Sequence, residues 1–247
     1  MPAYSAAMAG PCPIVLVHGA FHGAWCWAPL QAELDRLGIP SYAIDLPGHG
    51  TSTAPLENLL GDAAAVEALL ERLARDTDED VVLVGHSYGG AVIGQAGLSG
   101  RVRRLVFLAA LVLEEGECSS EVVMRMPAED SGVGRVMRRG EDGVMVPLPE
   151  AAGAVFYNTC DPAPAAAAAA RLCPQRAASL KQPATVAAWR SRPNTYIRCA
   201  QDRANSPALQ DAMAARCGAD VLRLDTDHSP FFSAPAELAA LLAPLAR

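Results

Sequence analysis

The chain lacks any apolar run of the roughly 18 residues that a membrane-spanning helix requires. Its first ten residues hold neither Lys nor Arg and lead into no long apolar segment, which argues against a secretory leader and for a cytoplasmic protein. A basic stripe is also missing. Net charge is −7, and the clusters Arg101-Val102-Arg103-Arg104 and Arg138-Arg139 read as solvated surface, so nucleic acid is not an expected partner. Seven cysteines, an odd number without a CxxC spacing, offer neither a metal site nor a disulfide framework. Reduced thiols account for them, with Cys12, Cys26 and Cys199 as small buried apolar residues. Charge is sparse at 19% against 51% hydrophobic residues. That leaves ample material for a core, and 247 residues suit one α/β domain.

What is present alternates. Apolar β-branched runs at 14–17, 41–45, 81–84, 105–108, 195–199 and 221–224 read as strands. Helical patterns fall at 27–37, 58–75, 91–98, 206–216 and 235–245. On the second of these, Leu59, Ala63, Val66, Leu70 and Leu73 recur at helical spacing, and Gly38 is placed to cap the first. Alternation of this kind predicts a mostly parallel, doubly wound sheet covered on both faces. Residues 1–10 read as a loose tail. Between Leu113 and Gln182 the rhythm changes: Gly and Pro rise, charges mix, and an alanine run spans Ala165 to Ala170. This segment, 113–182, reads as a mostly helical cap inserted into a core made of 11–112 and 183–247. The alanine run is expected to be one cap helix.

The most specific signal is Val81-Val82-Leu83-Val84-Gly85-His86-Ser87-Tyr88-Gly89-Gly90. A short apolar strand enters a Gly-x-Ser-x-Gly turn and a small-residue helix leaves it, the context of a nucleophile elbow. The glycines flank Ser87 because a Cβ there would collide with its neighbours. A strained serine persists where the site uses it. A passive serine in a glycine-rich turn would not explain why two further features follow in the required order.

A serine hydroxyl needs a base to take its proton. Of His18, His22, His49, His86 and His228, only the last follows Ser87, and the α/β-hydrolase order is serine, acid, histidine. His228 sits in the loop after the 221–224 strand. The acid is expected after the 195–199 strand, which makes Asp202 the residue that orients the imidazole. Asp225 and Asp227 compete by proximity and read as turn formers. Asp45 reads as a structural acceptor for loop amides. At the end of the first strand, His18-Gly19-Ala20-Phe21 builds the other half of an oxyanion hole, with the Ala20 and Tyr88 amides as donors. His18 reads as structural.

These residues resemble the α/β-hydrolase superfamily. The likeness covers nearly the whole chain and is closest to the branch of plant methylesterases, hydroxynitrile lyases and small bacterial esterases. His18 through Trp27 is similar to that branch's opening motif. Tyr196 through Asp202, then Ala208-Leu209-Gln210 and His228, is similar to its ending. The resemblance implies Ser87, Asp202 and His228 as triad and Ala20 with Tyr88 as oxyanion donors. Two positions depart from the lyases, which carry threonine at Gly19 and lysine at Ser229. The expected function is therefore a serine hydrolase cleaving a small hydrophobic carboxylic ester without cofactor or metal. Lyase chemistry at the same triad, or a small-ligand receptor on the hydrolase scaffold, is the alternative. A roofing cap needs apolar side chains facing the cavity. Phe21, Met124, Phe156, Tyr157 and Trp189 are the expected substrate contacts, with Met126 and Met137 as further cap candidates. Cap or edge surfaces leave a homodimer open.

Overall fold

The computed structural model describes residues 10–76, 79–125 and 132–247. The expected tail, apart from Gly10, and Met126 lie outside them. Six strands form one sheet: β1 (Ile14–Val17), β2 (Ser41–Ile44), β3 (Val81–His86), β4 (Val102–Leu108), β8 (Asn194–Cys199) and β9 (Asp220–Leu224). Their order is β2-β1-β3-β4-β8-β9, and every pairing is parallel. Parallel strands need crossovers, and helices covering both faces supply them. The β1 and β3 strands are buried along their whole length, as their unbroken Val, Ile and Leu runs require.

The first crossover helix, α1 (Ala28–Arg36), follows a 3-10 turn at Ala24–Trp27. Gly38, at φ +68°, takes the left-handed conformation that ends it. The second, α2 (Leu59–Asp76), buries the expected Leu59, Ala63, Val66, Leu70 and Leu73. The Asn58 side chain caps it by accepting the Leu60 and Gly61 amides, both at 3.0 Å. The elbow helix α3 (Gly89–Ala96) and α8 (Pro207–Cys217) complete one face, and the helix Pro235–Leu242 packs beside α1 on the other. Two apolar layers result, one on each side of the sheet.

The insertion between β4 and β8 carries a third apolar cluster of its own. It contains the helices α4 (Ser119–Met124), α5 (Pro149–Val155), α6 (Pro162–Ala169) and α7 (Ala177–Lys181). The alanine run lies in or just beyond α6. The cap also contains a small antiparallel sheet that a mostly helical reading did not include: β5 (Met137–Arg139), β6 (Val144–Pro147) and β7 (Gln175–Arg176). Its hairpin turns at Asp142 and Gly143, at φ +52° and +73°. An Asp-Gly pair suits two successive positive φ values.

Candidate active site

Chain order and sheet order part company between β1 and β3, the place where open α/β sheets bind ligands. The site stands at the C-terminal ends of these strands. Ser87 follows β3 at φ +53°, a left-handed value that a non-glycine residue holds only when its surroundings insist. They do so here. The Ser87 amide donates to Leu108 O at 3.1 Å, and its carbonyl accepts the Gly90 and Leu111 amides, both at 3.0 Å. A Cβ on Gly85 would lie 2.4 Å from Gly89 O, and one on Gly89 would lie 2.6 Å from Val17 O. The sharp turn therefore presses backbone on backbone, and glycine is the residue that fits. The Ser87 hydroxyl bonds to no described residue and faces a cavity of about 590 Å³.

His228 leaves β9 in a buried loop and is itself 2% exposed. Its Nδ1–H donates to Asp202 Oδ2 at 2.7 Å, which leaves Nε2 as the free basic nitrogen. Asp202 holds this tautomer because its oxygens are saturated. Oδ1 accepts the Ala204 and Asn205 amides at 2.7 and 2.9 Å, and Oδ2 also accepts Gln210 Nε2 at 3.1 Å. The rivals are occupied elsewhere. Asp227 accepts the Ser229 amide and the Ser233 hydroxyl on Oδ1 and the Thr159 amide on Oδ2, so it fastens the histidine loop to the cap. Asp225 accepts from the Gln201 side chain. Asp45 accepts the Ala24 amide at 2.6 Å and the Thr51 amide and hydroxyl, both at 2.8 Å. Burial works to raise its carboxyl, but these donors outweigh it and hold it below the usual range.

Gln210 was not singled out as functional from the sequence. It is fully buried on α8; its Oε1 accepts the Cys199 amide at 2.9 Å, and its Nε2 reaches Asp202, Cys199 O and Asn205 O. One side chain thus locks the end of β8 to the acid. A buried glutamine three residues into a helix carries no sequence signal of this role beyond its mismatch with an apolar face.

The other four histidines are structural and neutral. His18 Nδ1–H donates to Gly19 O at 2.8 Å and its Nε2 accepts the Leu46 amide at 3.1 Å. Burial, then neighbouring His49, pushes its pKa down to about 3. His22 Nδ1–H donates to Ala20 O at 2.8 Å and its Nε2 accepts the Tyr157 hydroxyl at 2.8 Å. Burial lowers it to about 4. His86 Nε2–H donates to His228 O at 2.8 Å, and burial holds that ring well below the ordinary value too. Burial also lowers His49.

Ala20 and Tyr88 both line the cavity beside Ser87. Their amides take part in no hydrogen bond among the described residues, so both are unengaged donors on residues that line this cavity. The Tyr88 side chain points away into the core and donates to Asp62 Oδ2 at 2.6 Å. Burial raises Asp62 to about 6.

The expected substrate contacts divide. Phe21, Met124 and Met137 line the cavity, Met124 as an exposed lip residue. The other three are in different places. Phe156 stacks on the His228 ring at a centroid distance of 5.5 Å. Tyr157 is bonded to His22. Trp189 lies in the main core with its Nε1–H on Leu113 O at 2.8 Å. Size alone suggested these three aromatics, but the cap and the sheet need them as packing. Among the described residues no group of three or more His, Cys, Asp or Glu side chains could hold a metal ion, and no helix is long and apolar enough to cross a membrane.

Residues 14–241 match the alpha/beta hydrolase family. The chain belongs to that family. This hydrolase is 31% identical over 245 residues to pheophorbidase of Raphanus sativus, covering 92% of this chain and 91% of that protein. It is 30% identical over 243 residues to pFDCC methylesterase MES16 of Arabidopsis thaliana, covering 92% of each. The crystal structure of MES16 is similar with a TM-score of 0.79 at 25% identity, covering 95% of this chain and 98% of that one. The hydrolase therefore sits in the methylesterase branch, and it is an ester hydrolase.

Proposed function

We propose that this hydrolase cleaves small hydrophobic carboxylic esters through an acyl-enzyme formed on Ser87. The observation that carries the reading is a strained Ser87 on the same cavity as Ala20 and Tyr88, whose amides are unengaged, together with a buried His228 bound through Nδ1 to Asp202. In this mechanism His228 Nε2 takes the hydroxyl proton as Ser87 Oγ attacks the carbonyl. The Ala20 and Tyr88 amides meet the developing oxyanion. The imidazolium then returns its proton to the leaving alkoxide, and the alcohol departs. Water, activated by the same nitrogen, releases the acid and restores Ser87.

The cavity wall supports a hydrophobic ester. Ala20, Phe21, Leu111, Val123, Leu180 and Met137 are among its apolar lining, with Ser87 as its nucleophile. Cyanohydrin cleavage is disfavoured by shape as well as charge. A Cβ on Gly19 would lie 2.9 Å from both Ser87 Cβ and His86 Nδ1, so the lyases' threonine does not fit this loop as it stands. Ser229, where the lyases place lysine, is fully buried and brings no charge.

The test is hydrolysis of p-nitrophenyl esters of increasing acyl length by wild type and Ser87→Ala. Turnover that the substitution abolishes, with circular dichroism unchanged, supports the reading, and the length profile sizes the cavity. Activity that survives Ser87→Ala would sink it.

A further inference from the structure

The oxyanion loop does not hold its own shape. Phe21 sits at φ +66°, a left-handed conformation that a bulky residue adopts only under constraint. The constraint comes largely from the cap. Ala20 and Phe21 share a peptide whose carbonyl accepts His22 Nδ1–H at 2.8 Å and whose N–H donates to Gln175 Oε1 at 3.4 Å. The Phe21 carbonyl accepts the Cys173 amide at 2.8 Å. His22 is in turn held by the Tyr157 hydroxyl. Cys173, Gln175 and Tyr157 all belong to the insertion.

Gln175 is the hub. It is 1% exposed, and the register of the small sheet fixes its backbone, with Met145 opposite. Its Oε1 accepts the Phe21 amide and lies 2.9 Å from His49 Nε2. Its Nε2 donates to Ser179 Oγ at 2.6 Å, and Ser179 donates to Arg176 O at 2.7 Å. A fully engaged buried amide of this kind has one rotamer. It gives the antiparallel sheet a purpose: the hairpin holds β7, and β7 aims one amide at the loop.

We infer that Gln175 is a positioning residue of the oxyanion hole. Through the Ala20–Phe21 peptide it fixes the direction of the neighbouring Ala20 amide, so the cap is part of the catalytic machinery and not a roof alone. The chain of contact is short. The Ala20 amide that meets the oxyanion is one Cα away from the peptide that Gln175 and His22 hold at its two ends. Freeing that peptide lets Phe21 relax toward negative φ and turns the Ala20 N–H off its target. Substrate binding in the apolar cavity depends little on that direction, whereas transition-state stabilisation depends on it strongly.

This inference rests on the ester-hydrolase reading, and the experiment separates the two. Wild type, Gln175→Met, Gln175→Glu and Tyr157→Phe are compared in p-nitrophenyl butyrate turnover and in the rate at which a fluorophosphonate labels Ser87. Met keeps the length of the side chain and removes its polar atoms. Glu keeps an acceptor for the Phe21 amide. The expected result is a kcat loss of about tenfold or more in Gln175→Met, with KM within about twofold and labelling slowed by a similar factor. Gln175→Glu should fall between it and wild type, and Tyr157→Phe should move the same two readings in the same direction by less. A folded Gln175→Met with wild-type kcat and labelling overturns the inference, as does a loss confined to KM. If Gln175→Met does not fold, the other two variants decide by the same readings. Wild type that labels but turns over no ester counts against the ester reading, while the labelling ratios still decide the role of Gln175.

Discussion

Replacing Gln210 with leucine would strand buried polar groups on both sides of the catalytic acid. The Cys199 amide would lose its acceptor, and Cys199 O, Asn205 O and Asp202 Oδ2 would each lose a donor. Leaving such groups unpaired costs about 1–3 kcal/mol apiece, and partial relaxation recovers some of it. Gln210→Leu is expected to lose about 2–4 kcal/mol of stability in chemical denaturation. Its kcat should fall as well, because Asp202 is then held by fewer donors. A variant as stable as wild type would show that Gln210 is dispensable. The elbow glycines make a sharper case. Gly85→Ala puts a methyl 2.4 Å from a carbonyl oxygen, so it is expected to abolish soluble expression or activity; a fully active protein would contradict the geometry. Such residues differ in how well they can be read from the sequence. Gly85 and Gly89 declare themselves through the motif around Ser87, and His228 through its position after the serine. Asp202 emerges from strand order. Gln210 stands in the sequence only within the motif Ala208-Leu209-Gln210, with no role attached, because its partners, three backbone groups and the Asp202 carboxylate, are brought together by the fold.

Helix α3 offers the converse test. Gly94 lies in its interior, and a Cβ there would meet nothing within 4 Å. Gly94→Ala should therefore stabilise the protein by about 0.5–1 kcal/mol, since alanine restricts the unfolded chain and favours helix. A melting temperature at or below that of wild type would refute this. The pair Gly85 and Gly94, nine positions apart, shows why a glycine's role depends on what lies beside its Cα. The larger elements follow the same logic. Buried parallel strands announce themselves as apolar runs, and β1, β3 and β8 fall within two residues of expectation at each end. Helix α2 is legible from its apolar spacing because one face alone is buried. The cap sheet is not, because β5 is Met-Arg-Arg and β7 is two residues long. Neither has room for a period-two pattern, and only the Asp-Gly turn marks the hairpin. The cap's aromatics were misplaced for a related reason. A segment that roofs a cavity must first pack on itself, and Phe156 and Tyr157 are spent in that third core.

The whole molecule stores four histidines, His18, His22, His49 and His86, in neutral form, and this fixes how it responds to acid. His18 and His22 move from 6.5 to about 3 and about 4, and His49 and His86 shift the same way, all chiefly through burial. A depressed histidine is neutral in the fold and protonated in the unfolded chain once pH drops below its unfolded value. Its contribution is fully present above about pH 6.5 and is lost as pH falls toward its folded value. Each such group tilts stability by about 1.4 kcal/mol per pH unit inside its window. Asp62 opposes them. Its pKa is raised from 3.8 to about 6, so the fold takes up a proton there before the unfolded chain does, and stability rises as pH falls through that interval. His18 and His22, with His49 and His86 of the same sign, outweigh one carboxyl. Stability should therefore decline between pH 6.5 and pH 4, by at least about 1.4 kcal/mol per unit in the middle of that range. Urea denaturation at half-unit pH steps measures this directly. His18 bridges Gly19 O and the Leu46 amide, and His22 bridges the oxyanion loop and the cap. The same protons that unfold the molecule would therefore first loosen the loop carrying Ala20. Activity should fall before the global transition, and a catalytic profile that tracks the unfolding curve point for point would refute that order.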